Sequence, residues 1–345
     1  MSAIRIVPPL VSIVLPFRAA AETLGECLHS ILGQSLENWE LLAVDDNSTD
    51  DSRKIAMNFA RLDNRIRLIE PTRPGLVHAL NQGLEAASSS LIARMDADDV
   101  MLPERLERQV AFMEENPGTG LVSSQVEHFS PLSFKTEGYS RYVEWTNALL
   151  THEQLALNRF VESPFAHPSV LFRRQLVSQY GPYSDGDFPE DYELWLRFLE
   201  GGTRMAKLEQ VLLKWRDHPD RLSRTCTRYS QDAFQRTKAR YLASWLEQNP
   251  TGGRKLTAWG AGKVARRQAD HLFGCGLRIE CFFEVDPKKI GNPRPGLKVE
   301  SIEAIPPPGE VFILVLAGAR SARSKITRFL DDRDYISGQD YLFLA

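Results

Sequence analysis

"LIARMDADDVMLP", residues 91–103, sets an apolar run against three carboxylates, Asp96, Asp98 and Asp99, within four positions. The run reads as a short strand with the acidic group at its carboxyl end, and Pro103 suits the first turn of a following helix. Outward from this stretch the same rhythm recurs. "VSIVL" reads as the first strand, and Leu24, Cys27, Leu28, Ile31 and Leu32 then repeat at helical spacing before Gly33. "WELLAV" is the next strand, ending at Asp45 and Asp46, and Ser48 with Asp51 resembles a capping pair for a helix whose buried stripe is Ile55, Phe59 and Leu62. "IRLIE", "RPG" and "LVHALNQGLEAA" supply a third strand, a tight loop and a third helix. Short β-branched runs alternating with amphipathic helices predict an α/β fold with a mostly parallel sheet.

Beyond the acidic stretch, "GLVSSQVEHF", "SVLFRR" and "KLEQVLLKW" read as further strands, and a helix is expected to start near Pro189. Between Ser130 and Ser163 aromatic and polar residues mix without a period, which reads as a long functional loop or insertion. A helical segment covers about Thr227 to Gln248, and "NPTGGR" reads as a linker. After it, "KLTAW", "GAGK", "IECFFEVD" and "VFILVLAG" repeat the strand and helix rhythm on a smaller scale. Two domains are therefore expected, residues 1–248 and residues 249–345.

Composition narrows the function classes. With 345 residues, 43% hydrophobic and 25% charged, the chain can bury sizeable cores and is not expected to be disordered. A net charge of −3 offers no basic surface for a phosphate backbone, so nucleic acid is not expected as a partner. Cys27, Cys226, Cys275 and Cys281 form no C-x-x-C pair, which favours a reducing compartment and argues against structural zinc. "MSAIRIVPPLVSIVLPF" is broken by prolines and lacks a basic leader and a cleavage site, so no signal peptide is expected. No run of about 18 apolar residues appears, so no spanning helix is expected, while peripheral membrane contact stays open. The expected location is cytoplasmic, with the inner face of the membrane as the open alternative.

Two acidic groups thus stand at carboxyl ends of neighbouring strands. Ligands of open α/β sheets bind outside those ends, so both groups are expected to face one crevice. Carboxylates crowded there repel one another unless a cation neutralises them. In an alternating D-x-D, Asp96 and Asp98 can turn to the same side and offer hard oxygen ligands suited to Mg²⁺ or Mn²⁺, with substrate phosphates completing the shell. Aspartates also fold turns and cap helices, and that bland role suits Asp99.

Several of these stretches, "VSIVLPFRAAAETLGECLHSILGQSLENWELLAVDDNSTDDS", "RPGLVHALNQGLEAASSSLIARMDADDVMLPERL", "HPSVLFRR" and "EDYELWLR", together resemble the family-two glycosyltransferases of GT-A fold over roughly residues 10–225. The resemblance implies a GT-A domain with a mixed, mostly parallel sheet, and inverting transfer of a sugar from a nucleotide diphosphate to a hydroxyl. It implies donor contacts from Pro16, Asp45, Asp46, Arg73, Asn81 and Asp96, with Asp46 accepting from a base ring N–H. Such a carboxylate selects uridine, thymidine or guanosine diphosphate sugars over adenosine ones. Asp98 would be the principal metal ligand, Asp96 would lie near the ribose or the metal, and His218 in "KWRDHPDRLSR", where Arg216 and Arg224 also fall, would supply a third metal ligand or a phosphate hydrogen bond. Asp191 would be the general base, Glu190 would orient the acceptor, and Trp195 would either stack on a sugar or pack the core. Pro189 puts Asp191 in a first helical turn, where the dipole favours an ionised carboxylate. His167 reads as a satisfied, partly buried imidazole. The acceptor, a glycan, a lipid-linked sugar or a protein, has no motif. "PFRAAAETL" departs from the family's usual aromatic-asparagine pair, with Arg18 and Ala19 instead.

Two rivals remain. A nucleotidyltransferase would show a glycine-rich basic loop after the first strand, which "PFRAAAETL" lacks. A receiver-like Mg²⁺-binding signalling module would place "VDDN" earlier in its strand order and add a strand-ending lysine. In the smaller domain, Gly260, Gly262 and Ala265 fit G-x-G-x-x-A, and Asp286 follows at about the spacing of a ribose-binding acid. The pattern predicts a small Rossmann-like unit, with a docking or structural role favoured over dinucleotide binding.

Overall fold

The computed structural model describes residues 8–130, 137–249, 251–294, 297–318 and 322–345. Readings made on residues 1–7, on residues 131–136 and on Pro250 fall outside the described residues. The chain divides into two compact units. The first takes the chain as far as Leu155, then Pro164–Gly186 and Glu190–Thr225; the second takes Ala156–Ser163, Asp187–Pro189 and Cys226–Ala345. Each sheet belongs to one unit.

The first unit holds strands β1 (Val11–Phe17), β2 (Trp39–Asp45), β3 (Ile66–Ile69), β4 (Leu91–Arg94), β5 (Val100–Met101), β6 (Thr119–Phe129), β7 (Leu171–Arg173) and β8 (Arg204–Arg216). Its helices are α1 (Leu24–Leu32), α2 (Ser52–Leu62), α3 (Leu76–Ala86), α4 (Arg105–Glu115), α5 (Glu137–Asn147), α6 (His152–Asn158, whose last residues pass into the second unit), α7 (Gln175–Tyr180), α8 (Glu190–Glu200) and α9 (Leu222–Thr225). The sheet order is β3-β2-β1-β4-β7-β6-β8-β5. β1, β2, β3 and β4 pair in parallel, β7 runs antiparallel to both β4 and β6, and β8 is parallel to β6. Two reversals restore the direction, so β1, β2, β4 and β8 all end on one edge. The acidic turn is pinned there because β5, just after it, pairs with β8 through Val100↔Lys214 and Met101↔Leu213.

β1 and β2 are buried along their whole length, as strands covered on both faces must be. Gly83 lets α3 lie directly on β1, since a Cβ there would stand 2.5 Å from Val14 Cγ1. α2 is narrower than its sequence stripe suggests. It flanks the edge strand β3, buries only Ser52 and Ala56, and leaves Leu62 86% exposed. The segment read as a long loop instead contains α5 and α6. α5 buries Val143 and Thr146 while Tyr139 and Tyr142 are only half-buried, so no apolar stripe marks it in the sequence.

The second unit adds β9 (Lys255–Trp259), β10 (Cys281–Glu284), β11 (Gly291–Arg294), β12 (Leu297–Ser301), β13 (Val311–Val315) and β14 (Tyr341–Phe343), with α10 (Gln231–Gln248), α11 (Lys263–Gly274) and α12 (Ala322–Asp331). Its order is β11-β12-β10-β9-β13-β14, and all pairs but β11–β12 are parallel. Counted from β9, the parallel strands run third, second, first, fourth, fifth, the Rossmann-like arrangement the sequence predicts. Among the described residues no helix is long and apolar enough to cross a membrane.

Candidate active site

The carboxyl edge of the first sheet gathers the charged residues. Asp96, Asp98 and Asp99 each offer an oxygen within 4.8 Å of the others. His218, just past β8, reaches Asp98 Oδ2 with its Nε2 at 3.1 Å. Asp99 is fully buried; its Oδ1 accepts from the Arg216 backbone N–H at 2.7 Å, and its Oδ2 has no hydrogen-bond partner among the described residues. Arg216 donates to the Asp98 carbonyl at 2.6 Å and pairs with Glu26. Asp96 pairs with Arg94.

The charges there are unevenly shared. Burial, then the neighbouring Asp98 and Asp96, push the Asp99 carboxyl well up. Burial also pushes Asp98 up, but the His218 hydrogen bond and the charges of Arg221 and His218 outweigh it and hold Asp98 below its ordinary value. Burial pulls the Arg221 guanidinium down, and Asp99, Asp98 and Asp96 more than restore it. Arg221 lies over the Trp215 ring at 4.3 Å and donates to the Arg216 carbonyl. Beneath the turn, Arg105 is fully buried and brought down to about 9 chiefly by that burial; it donates to the Arg94 carbonyl at 3.0 Å. Asp217, also fully buried, is held by Arg224 at 2.7 Å and His128 at 3.2 Å.

Asp191 is the second residue of α8, and its Oδ1 accepts from the next backbone N–H at 2.7 Å. A helix start should favour the ionised form, yet burial and then the Glu190 charge push this carboxyl up to about 7 against that N–H and the charge of Arg94. Desolvation outweighs the dipole here. Glu190 is 2% exposed and Trp195 is fully buried, ringed by Phe165, His167, Phe172 and Phe198. Trp195 therefore packs the core and has no face to offer a sugar. His167 is buried and shares a 2.8 Å hydrogen bond with the Tyr183 hydroxyl, as a satisfied imidazole should.

The other expected donor residues divide. Asp46 stands just past β2, accepts from Gly75 N–H at 2.6 Å through Oδ1 and faces Arg18 at 3.8 Å through Oδ2. Pro16 is buried in β1 beside it, and Arg73 is exposed on the loop between β3 and α3. Asp45 is engaged elsewhere: its two oxygens hold the Ser48 N–H at 2.9 Å and Arg53 at 3.4 Å, so it braces its own loop. Asn81 is likewise taken, donating to the Tyr183 carbonyl at 2.9 Å and accepting its N–H at 3.0 Å. Ala19 occupies the left-handed region at φ 48°, a conformation asparagine tolerates better than alanine. Sequence reading missed Arg94, Arg105, Arg221 and Asp217, although a cation inside the apolar run "LIARM" was a signal.

The smaller sheet's edge differs. Asp286 caps its own short turn, accepting from Lys288 N–H at 3.1 Å. The acid that ends the second strand is Glu284, which accepts from Ala261 N–H at 3.0 Å and Val285 N–H at 3.0 Å.

With this geometry in view, residues 12–181 match the model of "Glycosyl transferase family 2", a span that includes the acidic turn and stops short of Asp191. The amylovoran biosynthesis glycosyltransferase AmsE of Erwinia amylovora is 33% identical over 204 residues, covering 59% of this chain and 74% of that protein. The chain is a family 2 glycosyltransferase. A UDP-Gal:alpha-D-GlcNAc-diphosphoundecaprenol beta-1,3-galactosyltransferase of Escherichia coli is 30% identical to this glycosyltransferase over 194 residues, covering 56% of this chain and 68% of the relative. The structure of S. aureus TarS 1–349 in complex with UDP-GlcNAc matches it with a TM-score of 0.55 at 16% identity, over 77% of this chain and 71% of that one. That likeness is one of fold, and the fold is GT-A.

Proposed function

We propose that this glycosyltransferase inverts the sugar it moves from a nucleotide diphosphate donor to a hydroxyl acceptor, with a divalent cation as cofactor. The observation that carries the reading is the set of three carboxylates within 4.8 Å of one another with His218 on Asp98. Three acids so close, one of them with a buried oxygen that has no hydrogen-bond partner among the described residues, suit a hard cation such as Mg²⁺ or Mn²⁺. Asp98, Asp96 and His218 would hold it. When bound, such a cation supplies positive charge to the departing diphosphate.

The chain's own residues do the rest. Asp46 recognises the base through its outer oxygen, which favours uracil, thymine or guanine. Asp191 accepts the proton of the acceptor hydroxyl while that oxygen bonds to the anomeric carbon and the nucleoside diphosphate leaves with its electron pair. A carboxyl raised to about 7 is well matched to that proton, because it ionises near neutral pH and remains a competent base. Arg221 and Arg216, beside the acidic turn, add fixed cationic charge.

The relatives support a place in bacterial surface glycan assembly. One is named for amylovoran biosynthesis and the other acts on a sugar carried by diphosphoundecaprenol. A lipid-linked acceptor would put this cytoplasmic enzyme at the inner face of the membrane. The test is a screen of uridine, thymidine, guanosine and adenosine diphosphate sugars for hydrolysis without acceptor, with Mn²⁺ and with chelator. Turnover of one of the first three that chelator abolishes is the expected result; turnover indifferent to chelator would sink the metal-dependent reading.

A further inference from the structure

Arg94 is the least economical residue near the site. It ends β4, its side chain is 4% exposed, and its Nε has no hydrogen-bond partner among the described residues. A guanidinium buried this far normally has its donors satisfied, because desolvating a charge is costly. Its backbone is fixed on both sides: the N–H donates to the Val170 carbonyl at 3.1 Å, and the carbonyl accepts from Arg105 at 3.0 Å. The side chain cannot relax by moving the strand. Among the described residues its one ion pair is with Asp96, two residues on, whose Oδ1 it meets through Nη1. Among the described residues Asp98 pairs with no arginine and meets His218 instead.

The two ends of the D-x-D are therefore not equivalent. Asp96 has one oxygen paired with a permanent, buried cation, while Asp98 is contacted by the His218 imidazole. We propose that Arg94 is a positioning residue for transfer, fixing which oxygen of Asp96 is left to the donor. The inference rests on the reading above that Asp96 takes part in donor binding. Its charge also acts on Asp191, opposing the burial of the base, so one buried cation lies within electrostatic reach of both halves of the site.

The experiment is a double-mutant cycle on the full chain. Wild type, Arg94→Met, Asp96→Asn and the double variant are titrated by calorimetry with UDP, dTDP and GDP in the presence of Mn²⁺, with thermal melts to follow folding. Asp96→Asn should weaken the nucleotide that wild type binds, and Arg94→Met should weaken it by about tenfold in the wild-type background but hardly at all when Asp96 is already Asn. Arg94→Lys should recover part of the loss, since a lysine keeps the charge without the fork. If Arg94→Met does not fold, Arg94→Lys takes its place in the cycle, where the same non-additivity is expected at smaller size. Equal losses in both backgrounds would show that Arg94 acts independently of Asp96 and overturn the inference alone. Unchanged binding in Asp96→Asn would overturn the donor-site reading together with it.

Discussion

Both sheets of this glycosyltransferase carry acids at their carboxyl edges, and the two edges treat them in opposite ways. At the small sheet Glu284 accepts backbone N–H groups from Ala261, Val285 and Asp286 and faces Lys289 at 3.6 Å. Those donors include the glycine loop, where a Cβ on Gly260, at φ 109°, would stand 3.3 Å from the Ala317 backbone nitrogen. The Ala261 N–H of that loop is already answered by the protein. At the large sheet three carboxylates crowd together, one buried oxygen has no hydrogen-bond partner among the described residues, and Asp191, the second residue of α8, is pushed up to about 7. An edge that satisfies its own acids is fold; an edge that leaves them short is arranged for something that arrives later.

The sharpest way to break that contrast is Asp191→Asn. Transfer should fall by about a thousandfold, the upper part of the range for a general base, with nucleotide binding nearly unchanged. In wild type, kcat/KM should drop about tenfold per pH unit below a limb near 7, since only the ionised carboxylate can accept a proton. Stability follows the opposite sense. A carboxyl raised in the folded state costs nothing while both states are protonated; its penalty grows with pH from the ordinary carboxylate range up to about 7 and is constant above that. Asp191→Asn should therefore melt above wild type at about pH 8, with the gap closing by about pH 4. Thermal melts at the two pH values and a pH–rate profile check both halves. An acid limb at the ordinary carboxylate range would remove the raised base.

Next in size is Asp98→Ala. Calorimetry should show Mn²⁺-dependent nucleotide affinity falling about 100-fold, the loss of a principal contact to the cation. Affinity measured with chelator should be the same in variant and wild type. If the variant keeps its Mn²⁺ response, the crowded acids are a structural turn and the contrast between the two edges fails.

How much of this could be read from the chain alone follows from range in sequence. The acidic turn was legible because three charges directly after "LIA" contradict burial unless something neutralises them. The parallel strands β1 to β4 were legible for the same local reason, being short apolar runs with helices between. The pairing that brings His218 and Arg216 onto Asp98 and Asp99 was not, since it depends on β7 and β6 lying between β4 and β8, contacts more than a hundred residues apart. α5 stayed hidden because its inner face is built from a threonine, a valine and half-buried tyrosines. Asp45 and Asn81 looked equivalent to Asp46 in the sequence, and only the structure shows that their side chains hydrogen-bond to the Ser48 N–H and to Tyr183. At the small sheet the strand ends two residues before the acid expected from the sequence, so the strand-ending acid is Glu284 rather than Asp286.

The smallest expected effect tests the satisfied edge. Glu284→Gln keeps the size of the side chain but turns part of an acceptor into a donor, aimed at backbone N–H groups that cannot accept. The protein should lose roughly 1–3 kcal/mol, the cost of leaving buried donors unanswered. The loss should appear as faster hydrogen exchange at Ala261 and along α11, because those amides depend on the loop. Transfer activity below the melting temperature should stay as it was. A carboxylate that merely completes a fold can be weakened without touching chemistry; one kept short of partners cannot, so a fall in activity with unchanged exchange would move Glu284 from the first class to the second.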